Sequence, residues 1–358
     1  MIRTNGTPAS DASGVPLPFP DKNNMATGWR RRWAVVLSGG SGRRMQPLIT
    51  EWLGVDRPKQ YCTFVGGRSM IQHTIDRACS VVSPKNVVTI IGQGHQKHLA
   101  AALRRRLPGR LIEQPRDAGT AAGVFLTATH VLLNDPEATL LLFPADHFVH
   151  PEKAFCQLAG RAADLADLHP DRIVLVGAVP DCPETDYGWI GPDTDGDPAS
   201  PHAAMLGAVN VAAFTEKPGA VEAQMLWRDG YLWNTMVTAV RVKTLWELGH
   251  RHLPEMMASF DALLMVLRAI RQRLFDPKRE ADVLARLYEH LAPADFSKDI
   301  LQPSAKRCLV LPMQGIDWSD WGRPERVEET LARVGRRPLF VRHSQAPGAG
   351  CLQPLAAR

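Results

Sequence analysis

The sequence contains no apolar run close to the roughly 18 residues that a membrane-spanning helix requires. Its first 32 residues are polar and rich in Pro and Gly, and they lack the charged and then apolar layout of a secretory signal. Both absences argue against a membrane protein and against a secreted one. We therefore expect a cytoplasmic protein with no membrane partner.

The six cysteines include no C-x-x-C pair. Without such a pair, the sequence indicates neither a zinc site nor a framework of disulfides. Thiols stay reduced in the cytoplasm, and cysteine is among the residue types most often buried. We expect reduced thiols, most of them in the core.

A basic surplus is missing from the body of the chain, although the formal net charge is +5. Residues 1–32 carry +3 and residues 336–358 carry +4, which leaves −2 for the residues between them. A nucleic-acid-binding protein concentrates its basic residues on one folded surface. Since the surplus lies in the two tails, we expect no nucleic-acid partner.

The 358 residues, with 45% apolar and 22% charged residues, have the composition of a globular protein. This length fits one α/β domain with extensions, or two small domains. We expect a disordered leader over residues 1–32, a folded region over 33–335 and a loose tail over 336–358. A helical segment at about 243–292 would pack on the sheet or close over a site.

Short β-branched and aliphatic runs alternate with stretches of helical spacing. This alternation is typical of βαβ units. The sequence therefore predicts an α/β fold with a Rossmann-like mixed, mostly parallel sheet and helices on both faces. The predicted strands are "WAVVLS", "NVVTII", "TLLLF", "RIVLVGA", "VNVAAFTE" and "CLVLP", and the predicted helices cover 69–82, 95–106, 119–134, 151–168 and 219–229.

The segment "LSGGSGRRMQPL" follows the first predicted strand and places Gly39, Gly40 and Gly42 at its end. Glycine lets backbone N–H groups approach an anion where a Cβ would collide, although a strand-to-helix turn can also need glycine for steric reasons alone. A dinucleotide fingerprint requires a third glycine where Met45 stands, and the Gly-Lys-Ser/Thr of a P-loop is absent. The turn thus predicts another kind of phosphate site.

Cations follow this glycine turn. Arg43 and Arg44 come directly after it, and Lys59 lies in "DRPKQ" about a dozen residues on. Fixed cations of this kind can bind a polyphosphate. A solvated surface pair is the alternative for Arg43 and Lys59.

Two aspartate-bearing segments are candidates for a metal site. Asp146 directly follows the predicted buried strand in "LLLFPADHFV", where ligands bind in open α/β sheets. Magnesium binding and a helix N-cap are both open for it, and His147 reads more readily as a structural histidine than as a ligand. Asp317 and Asp320 in "DWSDWG" form turns or supply a second carboxylate.

Polar side chains also cluster in "FTEKPG" and "YLWNTMV", which contain Glu216, Lys217 and Asn234. An exposed Glu-Lys pair usually has no function. In a cleft, Lys217 could bind a substrate phosphate, while Glu216 and Asn234 could bind hydroxyls. The spacing alone does not decide between the two.

Taken together, these segments resemble the sugar-nucleotide pyrophosphorylases, most closely the bacterial mannose-1-phosphate guanylyltransferases. The resemblance covers about 300 residues, from Trp33 to Gly335. Seven segments follow the order of the family: "LSGGSGRRMQPL", "RPKQY", "FPADHFV", "PETDYGWIGP", "FTEKPGA", "GYLWNTMV" and "DWSDWG".

The resemblance implies a nucleotidyltransferase that uses Mg²⁺ and joins mannose 1-phosphate to GTP, with GDP-mannose and pyrophosphate as products. Homo-oligomer formation stays open. By resemblance, the nucleotide-binding residues are Gly39, Gly40, Gly42 and Arg44, and the catalytic cations on the triphosphate are Arg43 and Lys59. The metal ligands are Asp146 and Asp320, with Asp317 as the alternate, and the sugar-phosphate residues are Gly188, Glu216, Lys217 and Asn234.

Three positions depart from the family pattern. Met236 replaces the second small residue of "WNSGMF", Gly119 stands where "RNTAPA" has asparagine, and Arg43 replaces the threonine of "GTR". These changes keep open another nucleotide or sugar, and either arginine as the one that contacts the phosphates. A catalytically silent regulatory relative is a further alternative, whereas a Rossmann oxidoreductase fails at Met45.

Some relatives carry a phosphomannose isomerase domain after the transferase. Only 36 residues follow "DWSDWG" in this sequence, too few for such a barrel. Isomerase activity is therefore not expected.

Overall fold

The structure, a computed structural model, describes residues 31–40, 42–103, 106–194, 196, 200–276 and 278–341. The predicted leader up to residue 30 and the predicted tail from residue 342 lie outside the described residues. The first described strand begins at Arg32, one residue before the predicted boundary, and the Arg32 guanidinium pairs with Asp164 and Asp167 at 2.6 and 2.7 Å.

Nine of the described strands form one twisted sheet in the order β3-β2-β1-β4-β9-β6-β10-β8-β7, and β5 and β11 form a separate two-stranded ribbon. The pairings make seven strands of the sheet run in one direction, with β8 and β9 opposed to them. The prediction of a mixed, mostly parallel sheet is confirmed. The strands are β1 Arg32–Ser38, β2 Val87–Ile91, β3 Arg110–Glu113, β4 Thr139–Pro144, β5 Phe148–His150, β6 Ile173–Ala178, β7 Gly188–Pro192, β8 Val209–Glu216, β9 Leu232–Arg241, β10 Cys308–Met313 and β11 Asp317–Ser319.

Helices lie on both faces of the sheet and in the range where the sequence predicts a helical segment. The predicted helix 95–106 is shorter than expected and ends at Ala102. The described helices are α1 Gln46–Leu53, α2 Met70–Val81, α3 Gln96–Ala102, α4 Gly119–Asn134, α5 Glu152–Leu168, α6 Pro201–Met205, α7 Ala220–Arg228, α8 Val242–His252, α9 Pro254–Arg271, α10 Arg279–His290 and α11 Pro324–Arg333, with a π-helical turn at Ser297–Leu301.

The core divides into two layers, one on each face of the sheet. Successive side chains of a strand point to opposite faces, and Val35 accordingly belongs to one cluster while Val36 belongs to the other. Burying both faces requires strands that are apolar throughout, and all five residues of β2 are buried. On one face α8, α9 and α10 pack over α4, where the rings of Phe125 and Phe260 lie 6.3 Å apart.

A third, smaller cluster lies beside the glycine turn. It joins Met45 after that turn to Phe64 and to Trp321 of "DWSDWG". Phe340, within the segment predicted as a loose tail, is 3% exposed and packs edge-on against Trp52. The structure therefore differs from the prediction at the start of the tail, because an aromatic side chain gains more from burial than its backbone loses in freedom.

The cysteines follow the prediction only in part. Cys62 and Cys308 are buried free thiols, but Cys182 is disulfide-bonded, so the expectation of reduced thiols is wrong for that residue.

Of the helices in the described part of the chain, none has the length and apolar character needed to cross a membrane.

Candidate active site

The glycine turn follows β1 at the C-terminal edge of the parallel strands. A Cβ at Gly39 would lie 2.6 Å from the side-chain oxygen of Gln114, and Gly42 has φ +61° with its Cα next to Lys59. Both glycines are therefore needed by the protein itself. A Cβ at Gly40 would touch nothing within 4 Å, which leaves open space at this position for a ligand.

Hydrogen bonds from the segment "RPKQY" hold this turn in place. The amide Nε2 of Gln60 donates to the carbonyls of Ser38 and Gly40 at 3.1 and 2.8 Å. Ser38 in turn donates through Oγ to the hydroxyl of Tyr61 at 3.2 Å. Sequence reasoning missed Gln60, although it lies beside the predicted Lys59 in the same motif.

The two arginines after the turn have different surroundings. Both are exposed, in a short 3₁₀ turn. Arg44 pairs with Asp186 at 2.5 Å and lies 3.6 Å from Asp320. Arg43 makes no side-chain hydrogen bond or ion pair with a described residue, so it is the arginine whose charge is available to a ligand.

Lys59 brings the two predicted metal-binding segments together. It is 4% exposed, and its Nζ lies 2.8 Å from Oδ2 of Asp146 and also donates to the backbone carbonyl of Asp320. Burial by itself would raise the pKa of Asp146, but the charge and hydrogen bond of Lys59, together with His147, outweigh it and the pKa is lowered. Contact of Lys59 with a triphosphate stays a prediction, since its ammonium is engaged by these two segments.

Asp320 is held by a buried polar network. Its Oδ1 accepts from the hydroxyl of Tyr187 at 2.6 Å, from Arg326 at 2.8 Å and from the backbone of Gly322 at 2.9 Å. Arg326 also pairs with the buried Glu184. Burial would raise the pKa of Asp320, but Lys59 and Arg326 lower it to well below its usual range. Sequence reasoning assigned no role to Tyr187, Glu184 or Arg326. Tyr187 and Glu184 lie inside the quoted motif "PETDYGWIGP", and Arg326 lies shortly after "DWSDWG".

Asp317 and His147 make other contacts than Asp146 and Asp320 do. Asp317 belongs to β11 and pairs in register with His150, while Asp320 and not Asp317 contacts Lys59. The ring Nδ1 of His147 accepts from Trp318 at 3.3 Å, and burial lowers the pKa of His147 to about 4. An N-cap role for Asp146 is wrong, because the next helix starts at Glu152 after Pro151.

The Asp146 and Asp320 carboxylates fit a divalent cation of the magnesium type. Oδ1 of Asp146 and Oδ2 of Asp320 accept no hydrogen bond from a described residue; the basic groups nearest to them are His147 at 3.9 Å and Arg44 at 3.6 Å. Magnesium takes one or two carboxylates and completes its shell with phosphates and water. Among the described residues, no three His, Cys, Asp or Glu side chains form a metal-binding group, so further ligands would come from substrate and water.

The predicted sugar-phosphate residues form a second group. A Cβ at Gly188 would lie 2.4 Å from Oε2 of Glu216 and 3.2 Å from Cβ of Asn234, so these three residues are in close contact. Oε2 of Glu216 is buried and has no hydrogen-bond partner among the described residues. Burial raises the pKa of Glu216, and the charge of Lys217, 3.2 Å away, only partly opposes this.

Tyr187 connects the two groups. Its hydroxyl binds Asp320, and its backbone carbonyl accepts from the backbone N–H of Lys217 at 3.1 Å. Gly188 is the next residue in the chain. The glycine turn, the carboxylates and the sugar-phosphate residues therefore lie along one edge of the sheet, the edge at which β1, β4 and β6 end and where ligands bind in open α/β sheets. We call the surface along this edge the cleft.

The structure explains one of the three departures from the family pattern, Gly119, and leaves Met236 without a structural explanation. Met236 has φ +58°, a conformation that suits glycine and is uncommon for other residues. Its Sδ accepts from Ser297, which also accepts from Asn234 at 3.0 Å. Gly119 has φ +82°, and a Cβ there would lie 2.2 Å from the carbonyl oxygen of Ala294, so an asparagine cannot fit.

This fold and cleft define an α/β protein of the nucleotide-diphospho-sugar transferase type. A crystal structure described as a mannose-1-phosphate geranyltransferase from Thermus thermophilus aligns with a TM-score of 0.68 and 27% identity, over 84% of this chain and 79% of that one. The family model described as Nucleotidyl transferase matches residues 33–334. The chain belongs to this family.

Curated relatives are similar over most of this chain. The mannose-1-phosphate guanylyltransferase ManC of Salmonella typhimurium is 33% identical over 80% of the chain, and the mannose-1-phosphate guanylyltransferase of Escherichia coli K12 is 32% identical over 81%. The chain spans only 53% and 58% of the length of these two relatives.

Proposed function

We propose that the protein joins mannose 1-phosphate to GTP and releases pyrophosphate, with GDP-mannose as the second product. One observation supports this above the others. Tyr187 binds Asp320 through its hydroxyl and Lys217 through its carbonyl, so a phosphate-type glycine turn, a pair of carboxylates and a polar sugar-side group share one cleft. The choice of substrates is supported by relatives whose names give the same reaction.

In this proposal the nucleotide lies on the glycine turn. Gly40 supplies open space beside the backbone, and Arg43 supplies a charge that no described residue neutralises. Backbone N–H groups and an arginine together favour a polyphosphate. Arg44 borders the same region and exchanges its contact with Asp186 for the phosphates.

The hexose phosphate lies on the sugar side. Oε2 of Glu216 is a buried acceptor without a donor among the described residues, and an unsatisfied buried acceptor costs about 1–3 kcal/mol. A sugar hydroxyl would satisfy it. Lys217, whose side chain is 58% exposed, would bind the phosphate of the same molecule.

The reaction forms one bond and breaks one bond. An oxygen of the hexose phosphate attacks the α-phosphorus of GTP, and the bond from that phosphorus to the bridging oxygen of the β-phosphate breaks, which releases pyrophosphate. The attacking oxygen is already anionic at neutral pH, so alignment and charge neutralisation suffice. Magnesium held by Asp146 and Asp320 would supply Lewis-acid stabilisation of the phosphate charge.

Pyrophosphate release tests the proposal. The protein is incubated with GTP, Mg²⁺ and mannose 1-phosphate, and we expect release that requires all three. Four nucleoside triphosphates are then crossed with several hexose 1-phosphates. Release with a different pair corrects the substrates, and no release with any pair overturns the proposal.

A silent regulatory relative is the competing outcome. Calorimetry with GDP-mannose distinguishes it, because a sensor binds the nucleotide sugar without turnover and independently of Mg²⁺. A cytoplasmic location belongs to the same proposal, since both substrates are soluble phosphates of that compartment.

A further inference from the structure

A cavity of about 230 Å³ lies beside the segments that carry the two aspartates. His147 and Trp321, the residues after Asp146 and Asp320, line it, but none of the predicted site residues does. The cavity is therefore distinct from the cleft described above. Its lining combines aromatic rings and three arginines, which are Phe64, Phe148, Trp321, Arg68, Arg77 and Arg336.

Arg77 is the unusual member of this lining. It is 4% exposed, and its Nη2 donates to the hydroxyl of Thr74 and the carbonyl of His147 at 2.6 and 3.0 Å. Its Nε has no partner among the described residues, and no described carboxylate lies within ion-pair distance of the guanidinium. A buried charge is normally paired, because its desolvation is costly. Within the described part of the chain, Arg77 is thus a buried cation without a direct ion pair.

The one carboxylate in the lining acts on Arg77 only from beyond ion-pair distance. Glu152 accepts from His73 at 2.7 Å and pairs with Arg68 at 3.3 Å. At the edge of the cavity, the exposed Arg336 makes no side-chain hydrogen bond or ion pair with a described residue. Arg77 and Arg336 therefore border the cavity without a direct ion pair to a described residue.

Aromatic rings form an apolar wall of the cavity, beside the histidines His73, His147 and His150. The rings of Phe148 and Trp321 stack with centroids 4.6 Å apart, and Phe64 meets Trp321 edge-on at 5.6 Å. Apolar walls with a few convergent polar groups are typical of small-molecule sites. A free inorganic ion would leave these walls uncovered.

We propose that this cavity binds an organic anion, with a phosphate or carboxylate group toward Arg77 and Arg336 and an apolar body against Phe64 and Trp321. Arginine binds both kinds of oxyanion through paired N–H groups. The two sources of negative charge are distinguished by the experiment.

The probes are phenyl phosphate, benzoate and the neutral benzamide, each titrated by calorimetry into the full chain. We expect phenyl phosphate or benzoate to bind and benzamide to fail. Binding of the phosphate alone, or of the carboxylate alone, identifies the group that the site accepts. Excess GTP with Mg²⁺ should leave the binding unchanged, because the cavity is separate from the cleft.

Two variants test the site. Arg336→Ala removes an exposed charge without disturbing the core and should weaken binding by at least about 10-fold, the scale of one charge-assisted contact. Arg77→Met should weaken it further, if it folds. Arg333→Ala is the matched control, because its partner is Asp181 at 2.8 Å, outside the cavity lining; it should bind as the wild type does.

Absence of binding by both anions, competition by GTP, or equal affinity in Arg336→Ala would overturn the proposal. The assay measures no turnover. A negative binding result therefore does not bear on the proposed guanylyltransferase activity. A negative pyrophosphate result likewise does not bear on the proposed anion site.

Discussion

The two ends of the cleft treat their polar groups in opposite ways. At the end that we propose for the phosphates, Asp146 and Asp320 are paired with Lys59 and Arg326, and their pKa values lie below the usual range. At the end that we propose for the sugar, Glu216 has an oxygen without a partner among the described residues and a raised pKa.

The difference teaches how one cleft can prepare for two kinds of ligand. Carboxylates that hold a cation must stay ionised and fixed, and surrounding positive charge achieves both. An acceptor for a hydroxyl must stay free of protein donors until the ligand arrives. Backbone strain does not follow this division. Lys217 and Met236 in the sugar-side group have positive φ, and so does Trp321, the residue after Asp320; such strain clusters at functional sites.

Removing a cation from the end of the cleft where the aspartates are ion-paired should have the largest effect on stability. Arg326→Ala removes the cation that Asp320 and the buried Glu184 share, and the loss of one partner of a buried pair costs about 3–5 kcal/mol. Urea unfolding measures it. The control on the same helix is Arg333→Ala, whose exposed pair is worth at most about 1 kcal/mol; equal losses in the two variants would refute the buried network.

Asp146→Asn should be the change most damaging to activity. The substitution keeps the shape of the side chain and removes its charge, and we expect pyrophosphate release to fall roughly 10²–10³-fold, the effect of losing one charged contact in a transition state. Asp229→Asn, at an exposed helix end, should leave the rate unchanged. A wild-type rate in Asp146→Asn would mean that the metal site lies elsewhere.

The pH dependence of stability should separate the two ends by sign. The lowered pKa of Asp320 stabilises the fold above about pH 4, and this contribution is lost as the pH falls further. The raised pKa of Glu216 has the opposite effect, because the fold loses stability as the pH rises from about 4 through the folded-state pKa.

Unfolding of Asp320→Asn and Glu216→Gln, compared with the wild type, measures these two contributions. As the pH rises from about 3 to 5, around the ordinary pKa of aspartate, the free energy of unfolding of Asp320→Asn should fall relative to that of the wild type. As the pH rises from about 4 to 7, above the ordinary pKa of glutamate, the free energy of unfolding of Glu216→Gln should rise relative to that of the wild type. The same direction of change in both variants would contradict the contrast.

The smallest effect is expected at Met236. Met236→Gly removes a side chain from the sugar end and relieves the positive φ, so the ratio of kcat/KM between mannose 1-phosphate and glucose 1-phosphate should shift by about 10-fold. Met236→Leu keeps both volume and strain and should retain the ratio. An unchanged ratio in the glycine variant would show that Met236 does not determine the choice of sugar.

Sequence patterning predicted most of the parallel part of the sheet, because strands buried on both faces form continuous apolar runs such as "NVVTII" and "RIVLVGA". It missed β9. That strand contains Asn234, Thr235 and Thr238 yet lies between β4 and β6, with Thr235 donating to the carbonyl of Val176. Alternation of strands and helices also gives no sign of a strand that runs against its neighbours.

For the site, motifs identified the residues but not their partners. Asp146 and Asp320 could be quoted from the sequence, whereas the shared contact with Lys59 depends on how β4 and β11 are placed in space. Gln60 and Tyr187 were inside quoted motifs without a role. The bonds of Gln60 to backbone carbonyls leave no pattern in residue type, and the bond of Tyr187 to Asp320 joins segments far apart in the sequence. Arg326 lies outside every quoted motif, and its contact with Asp320 depends on the direction in which α11 runs.

The ribbon of β5 and β11 has a consequence for synthesis of the chain. It joins segments that begin at Phe148 and Asp317, and β10, which precedes the second segment, lies between β6 and β8. Domains form as units while the ribosome releases them. A nascent chain that ends before Asp320 therefore carries only one of the two carboxylates, and the proposed site is complete only when nearly all of the described fold has left the ribosome.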